Sequence, residues 1–178
     1  MINYRLENLR DRKCLLLLYS YESFSPEETF ALAKKLGTKL QGGEILALEG
    51  DLGAGKTHFV KGLAEGLGAE GPVTSPTFTL LHLYEGRLRL AHFDVYRLPF
   101  PEAFEELGYE EYFTGSGVTA IEWSDLISPY LPPEYLQIKI THLYRQEMGE
   151  GRLITFYPHG EPMKALVKEL AQDGCAGN

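Results

Sequence analysis

The chain has 178 residues, of which 44% are hydrophobic and 24% charged, and its formal net charge is −8. That length predicts a single domain over residues 1–178 with a sizeable core, and that composition excludes wholesale disorder. The acidic balance excludes a broad basic footprint for DNA or an anionic membrane, so any RNA is expected to be held through a partner.

Residues 1–12 carry mixed charges and read as an N-terminal extension. The apolar run from Cys14 to Tyr19 is shorter than a secretory core and predicts a buried strand over 14–20. With no longer apolar run elsewhere, a cytoplasmic protein is expected. Cys14 and Cys175 lack the paired spacing of a zinc site or disulfide framework, which fits a reducing compartment. Ser25-Pro26-Glu27-Glu28 supplies an N-cap, a proline at the first helical position and first-turn acids, and predicts a helix to about Leu40. Glu44 to Glu49 reads as a buried strand, and Lys56 to Leu67 as a second helix with Phe59, Val60, Leu63, Ala64 and Leu67 on one face.

Further along, Thr77–Tyr84 and Arg87–Val95 flank Glu85-Gly86 and predict a hairpin with a two-residue turn. The stretch PEAFEELGYEEYF, residues 101–113, predicts short helices whose glutamates form a solvated face. Val118–Trp123 is a short apolar strand, and Leu136–Tyr144 and Leu153–Tyr157 pair across a turn at Gly149-Glu150-Gly151. A last helix spans Met163–Ala171, followed by a frayed tail from 172. Early alternation of strand and helix followed by hairpins predicts an α/β class with a mixed, partly antiparallel sheet.

Between the second strand and the second helix, Gly50-Asp51-Leu52-Gly53-Ala54-Gly55-Lys56-Thr57 satisfies G-x-x-x-x-G-K-S/T. Successive backbone amides curl around phosphate oxygens only in conformations that a Cβ disfavours, which accounts for the glycines. Lys56 is a cation at the positive end of a helix, an unfavourable place unless a phosphate binds beside it. Thr57 offers a hydroxyl to a Mg²⁺ ion bridging such phosphates. The run Asp51 to His58 is therefore the candidate nucleotide-binding stretch. His58 itself is a lone histidine, read first as a packing or surface residue.

A phosphate loop also needs a carboxylate for the Mg²⁺ shell. In LRLAHFDVYR, period-two alternation puts Leu88, Leu90, His92 and Asp94 on one face, making Asp94 the candidate. His92 either orients Asp94 or fills the core, and the core reading is preferred. In TAIEWSDLI, Glu122 ends another strand and is the candidate to position or deprotonate an attacking water, while Trp123 beside it stacks on a base or packs inside. Thr74, Ser75 and Thr77 surround Pro76 on a loop suited to sensing a γ-phosphate, or to an ordinary turn.

Taken together and in order, ALEGDLGAGKTHFVKGLAEGLG, VTSPTFTL, HFDVYR and IEW resemble the bacterial TsaE (YjeE) family over about residues 14–157. The resemblance implies a P-loop NTPase-like three-layer fold and a small ATPase of tRNA threonylcarbamoyladenosine (t6A) biosynthesis. It implies work with the TsaB and TsaD proteins, which install the threonylcarbamoyl group, and so indirect contact with tRNA. By the same resemblance Asp94 is a Mg²⁺ ligand, as are Thr57 and Glu122; Glu122 is also needed for hydrolysis together with Lys56. Trp123 lies near the nucleotide, and Thr77 belongs to a switch-like loop. The choice of ATP over GTP rests on the resemblance alone. His58 stands where the family often has threonine, and the chain beyond Tyr157 departs from the pattern.

Two other readings stay open. A small-molecule P-loop kinase would need a lid of clustered arginines, whereas only Arg145 and Arg152 follow Arg97. A nucleotide-gated assembly module with little turnover is the second. A guanine-reading N-K-x-D string is absent from the sequence.

Overall fold

The computed structural model describes residues 19–172. The extension at 1–12, residues 14–18 of the expected first strand and the tail beyond Gln172 lie outside the described residues. Strand β1 (Tyr19–Ser23) leads into α1 (Pro26–Lys39), then β2 (Ile45–Glu49) into α2 (Lys56–Gly66). There follow β3 (Leu81–Tyr84), β4 (Leu90–Asp94), a 3₁₀ segment (Pro101–Leu107), α3 (Tyr109–Phe113) and β5 (Val118–Glu122). A second 3₁₀ segment (Ser124–Tyr130), β6 (Tyr135–Arg145), β7 (Gly149–His159) and α4 (Glu161–Gln172) complete the chain.

The seven strands form one sheet in the order β1-β7-β6-β2-β5-β4-β3. The central neighbours β6-β2-β5-β4 run parallel, and β3, β7 and β1 add antiparallel edges. This is the mixed sheet expected from the sequence. Alternation along the strands divides the core between two faces. Leu46, Leu48, Leu90, Ala120 and Ile138 pack with Leu36, Phe59, Leu63 and Val167 of α1, α2 and α4 on one side. Ile45, Ala91, Phe93 and Ile121 pack with Phe104 and Ile127 of the short helical segments on the other.

The start of α1 follows its sequence signal. Ser25 Oγ accepts from Glu28 N at 3.1 Å, Glu28 Oε2 accepts from Phe24 N at 2.7 Å, and Pro26 occupies the first turn. Helix α1 then approaches α2 through glycine. A Cβ on Gly62 would lie 2.5 Å from Phe30 O and 2.9 Å from Ala33 Cβ, and one on Gly37 would lie 2.4 Å from Leu63 O. This close contact sets the axis of α2 and hence the direction of the loop before it.

Strand β1 runs to Ser23, three residues past its expected end, and three further boundaries differ more. Strand β3 starts at Leu81, not Thr77, because residues 76–80 wind into a turn with Thr79 N and Leu80 N donating to Pro76 O at 3.0 and 2.6 Å. The β3–β4 connection spans residues 85–89, not two residues, since Tyr84 pairs with Leu90. That loop is drawn onto the end of α2 by Arg87 N donating to Leu67 O at 2.8 Å. The β6–β7 hairpin turns at 146–148, with Arg145 paired to Gly149, so the expected turn glycines lie inside β7. Gly151 instead admits β1, as a Cβ there would meet Ser23 O at 2.6 Å. The five glutamates of residues 101–113 are exposed, as expected. Among the described residues, no helix is long and apolar enough to cross a membrane.

Candidate functional site

The site lies at the carboxyl ends of β2, β5 and β4, where open parallel sheets place ligands. After β2, Gly50, Gly53 and Gly55 adopt φ of +142°, +77° and +106°. At Gly50 the need is also steric, because a Cβ would sit 2.3 Å from Ile140 O. Around Gly53 and Gly55 no atom beyond their chain neighbours lies within 4 Å of where a Cβ would stand, so at these two positions it is the positive φ, not lack of space, that calls for glycine. Gly55 is the N-cap of α2 and offers no capping side chain, which leaves first-turn amides available to an anion. Asp51, Leu52 and Gly53 are exposed on this loop, while Ala54 is buried beneath it.

Lys56 is only 5% exposed and folds back over the loop. Its Nζ donates to Gly50 O at 2.6 Å and Asp51 O at 3.0 Å and sits 3.6 Å from the centre of the Trp123 ring. Burial pushes the Lys56 ammonium below its ordinary pKa, opposed by the charges of Glu122, Asp94, Asp125 and Asp51. The cation's placement at a helix N-terminus is thus balanced by loop carbonyls, carboxylates and an indole face. Trp123 reaches that position from a left-handed backbone conformation, φ +63°, and packs against Tyr96 with ring centres 4.7 Å apart. It is half-buried, so it is neither a core tryptophan nor a free one.

Asp94 and Glu122 end adjacent parallel strands in direct register. Glu122 Oε2 accepts from Thr57 Oγ1 at 3.0 Å, and its Oε1 lies 2.8 Å from His92 Nε2. Asp94 Oδ1 accepts from Tyr96 N at 3.1 Å; its Oδ2 accepts from Ser75 Oγ at 3.3 Å and from Thr77 Oγ1 in a short bond. Both carboxylates are buried, and Leu90, His92 and Asp94 share the α2-facing side of the sheet, as the alternation predicts. His92 fills core space but engages Glu122, whereas the sequence offered only Asp94 as its partner. Thr74 faces elsewhere, its amide donating to the Tyr84 hydroxyl at 3.1 Å.

His58 lies in the first turn of α2, with Nε2 2.8 Å from Pro26 O and its ring against Phe30. It lines a groove of about 350 Å³ with Phe24, Pro26, Ala54, Gly55 and Arg152. Sequence reasoning missed Arg152. Its guanidinium donates to Ala54 O at 3.0 Å, Gly53 O at 3.3 Å and Gly151 O at 2.8 Å, tying β7 to the loop. The only signal in the chain was an arginine in a strand some hundred residues away, and register alone carries it to the loop. Arg145 is engaged at a distance, paired with Glu22.

The arrangement joins an uncapped anion cradle, a buried ammonium, two register-paired carboxylates and three hydroxyls. A family model described as "Threonylcarbamoyl adenosine biosynthesis protein TsaE" matches residues 23–150. The chain belongs to the TsaE family. The tRNA threonylcarbamoyladenosine biosynthesis protein TsaE of Bacillus subtilis is 46% identical over 153 residues, 85% of this chain and 93% of that one. Its counterpart in Treponema pallidum is 46% identical over 118 residues, 66% of this chain and 87% of that one. A crystal structure of Bacillus subtilis YdiB superposes with a TM-score of 0.78 at 40% identity, covering 91% of this chain and 99% of that one. The TsaE match encloses the phosphate loop, the Ser75–Thr77 loop, Asp94 and Glu122, while Arg152 lies just beyond it.

Proposed function

We propose that this TsaE-family chain is a cytoplasmic, Mg²⁺-dependent ATPase required for t6A modification of tRNA, acting with the TsaB and TsaD proteins. The observation that carries the reading is the convergence of an uncapped glycine cradle and Lys56 with Asp94 and Glu122 at the carboxyl ends of the central strands. The loop amides and Lys56 would hold the phosphates, with Lys56 exchanging its carbonyl acceptors for phosphate oxygens. The groove flanked by Phe24, Pro26 and His58 adjoins Gly55 and has the size and mixed lining of a nucleoside site.

The donor set fits Mg²⁺, a hard cation that takes oxygen ligands and keeps several waters. Thr57 and Asp94 would hold it, with Glu122 contributing least because Thr57 and His92 already engage both of its oxygens, and when bound it would neutralise charge developing on the phosphates. Glu122, buried and tethered at both oxygens, would orient a water. Thr77 and Ser75 lie on Asp94, so their loop would report on the occupancy of that carboxylate. Arg152, which touches the cradle, is already engaged by loop carbonyls, and Arg97 lies over the ring of Phe78 at 4.4 Å. This supports slow hydrolysis by the chain alone, since an arginine finger is worth roughly 10³–10⁵ in rate where one operates. It also disfavours the kinase reading. Leu52 and Phe78, 78% and 84% exposed on two site loops, give a partner protein apolar purchase there.

Trp123 fluorescence tests the reading directly, because nucleotide capture draws Lys56 from the indole. Titration with Mg-ATP and Mg-GTP, with and without TsaB and TsaD, is expected to give a saturable change for ATP and faster phosphate release with the partners. A flat titration under every condition would end the proposal. Saturable binding with no release, even beside the partners, would favour a nucleotide-gated assembly module.

A further inference from the structure

We infer that His92 is a positioning residue for Glu122, holding that carboxylate in the one orientation from which it can serve hydrolysis; the inference rests on the ATPase reading above. His92 is fully buried in the middle of β4, between His82 of β3 and Ala120 of β5 in the strand register. The same face presents Leu90 one pleat earlier, so an apolar side chain would fit the local pattern. An imidazole here carries a penalty, because its Nδ1 is buried with no hydrogen-bond partner among the described residues. What sets against that penalty is a single contact, Nε2 at 2.8 Å from Glu122 Oε1.

That contact has a geometric consequence. A carboxylate at the end of a strand rotates about its last torsion, which is broad and roughly two-fold. Pinning Oε1 from one side leaves Oε2 directed at Thr57 Oγ1 and the start of α2. A carboxylate oxygen can only accept, so the contact calls for a proton on Nε2. His92 itself stays below the surface, reaching the candidate site only through Glu122. Its role is therefore orientation, in the way outer residues fix the ligands and bases they touch.

The test compares wild type, Glu122→Gln, His92→Phe and His92→Gln, each with TsaB and TsaD. Nucleotide affinity is read by Trp123 fluorescence, single-turnover hydrolysis by phosphate release, and the ring proton by ¹H–¹⁵N imidazole spectra. The expected result is that His92→Phe binds Mg-ATP within about two-fold of wild type but hydrolyses it roughly 10- to 100-fold more slowly, the usual cost of a mis-set reacting group. His92→Gln, whose amide can replace the Nε2 donor, is expected to recover most of that loss. The wild-type spectrum is expected to show the proton on Nε2, with a shifted signal in Glu122→Gln. Full-rate hydrolysis by His92→Phe, equal impairment of Phe and Gln variants, or an Nε2 without a proton would each overturn the inference. Absence of hydrolysis by the wild type beside its partners would instead remove the ATPase reading and this inference with it, and the spectrum would still report the tether.

Discussion

Asp94 and Glu122 stand side by side at the ends of β4 and β5, yet their carboxylates are held by different parts of the chain. Glu122 is fixed from within, by His92 and Thr57, whereas Asp94 is fixed by Ser75 and Thr77 of a surface loop. Two acids in one register position thus answer to the core and to the loop respectively. Glu122→Gln is expected to leave Mg-ATP affinity within a few-fold and to lower hydrolysis by about 10²–10⁴. Asp94→Asn is expected to raise the Mg²⁺ concentration needed for binding. Titrating nucleotide at several Mg²⁺ concentrations separates the two, and equal loss of affinity in both variants would contradict the division of roles.

Lys56→Ala is expected to weaken Mg-ATP binding by about 10²-fold, the worth of one or two charge-assisted hydrogen bonds. The pH dependence has a definite sign. In the free chain burial lowers the Lys56 pKa below its ordinary value of 10.5. A bound polyphosphate favours the ammonium and raises that pKa again, so binding takes up a proton in the alkaline range. Affinity should fall as pH rises through the lowered value. Calorimetry in buffers of different ionisation enthalpy reads the uptake, which Lys56→Ala should abolish.

Thr77→Val removes the hydroxyl from Asp94 while keeping the side chain's shape. A buried carboxylate losing one donor costs about 1–3 kcal/mol, here shared with Ser75 and the Tyr96 amide. The expected outcome is faster hydrogen exchange over residues 74–80 of the nucleotide-free chain, with exchange in α1 unchanged. Unaltered exchange in that loop would show that Asp94 does not hold it.

Gly62→Ala places a methyl group against Phe30 O and Ala33 Cβ at distances real Cβ contacts do not reach. Helices α1 and α2 must separate, and overpacking of this kind costs about 1–3 kcal/mol. Thermal denaturation should show a lowered midpoint. Nucleotide affinity should fall as well, because the cradle is the N-terminal end of α2.

His159 gives an acid-side prediction remote from the site. Its ring stacks on Tyr135 at 4.1 Å between centres, its Nε2 lies 3.2 Å from Gln137 Oε1, and burial pushes its pKa below the ordinary 6.5. Between those two values the unfolded chain binds more protons than the folded one, so stability rises with pH across that window. Melting midpoints should therefore drop as pH falls below about 7. His159→Gln should flatten that slope, and an identical slope in the variant would assign it to other groups.

What the sequence determined is local. A buried strand, three glycines and a lysine opening a helix require little beyond neighbouring residues to specify a cradle, because backbone φ and helix capping are short-range properties. The cap at Ser25, the alternation that sends Asp94 toward α2 and the placement of Glu122 at a strand end are legible for the same reason. The partnerships were decided by tertiary structure. That His92 meets Glu122 and not Asp94 depends on the parallel register of β4 with β5, and that Arg152 clamps Ala54 depends on β7 pairing with β6, the neighbour of β2. The β3–β4 loop was misread because its length answers to the end of α2, where Arg87 N finds Leu67 O. Period and propensity fix which way a side chain points along its own strand; which side chain waits across the gap depends on pairing and register, settled when distant apolar faces bury together.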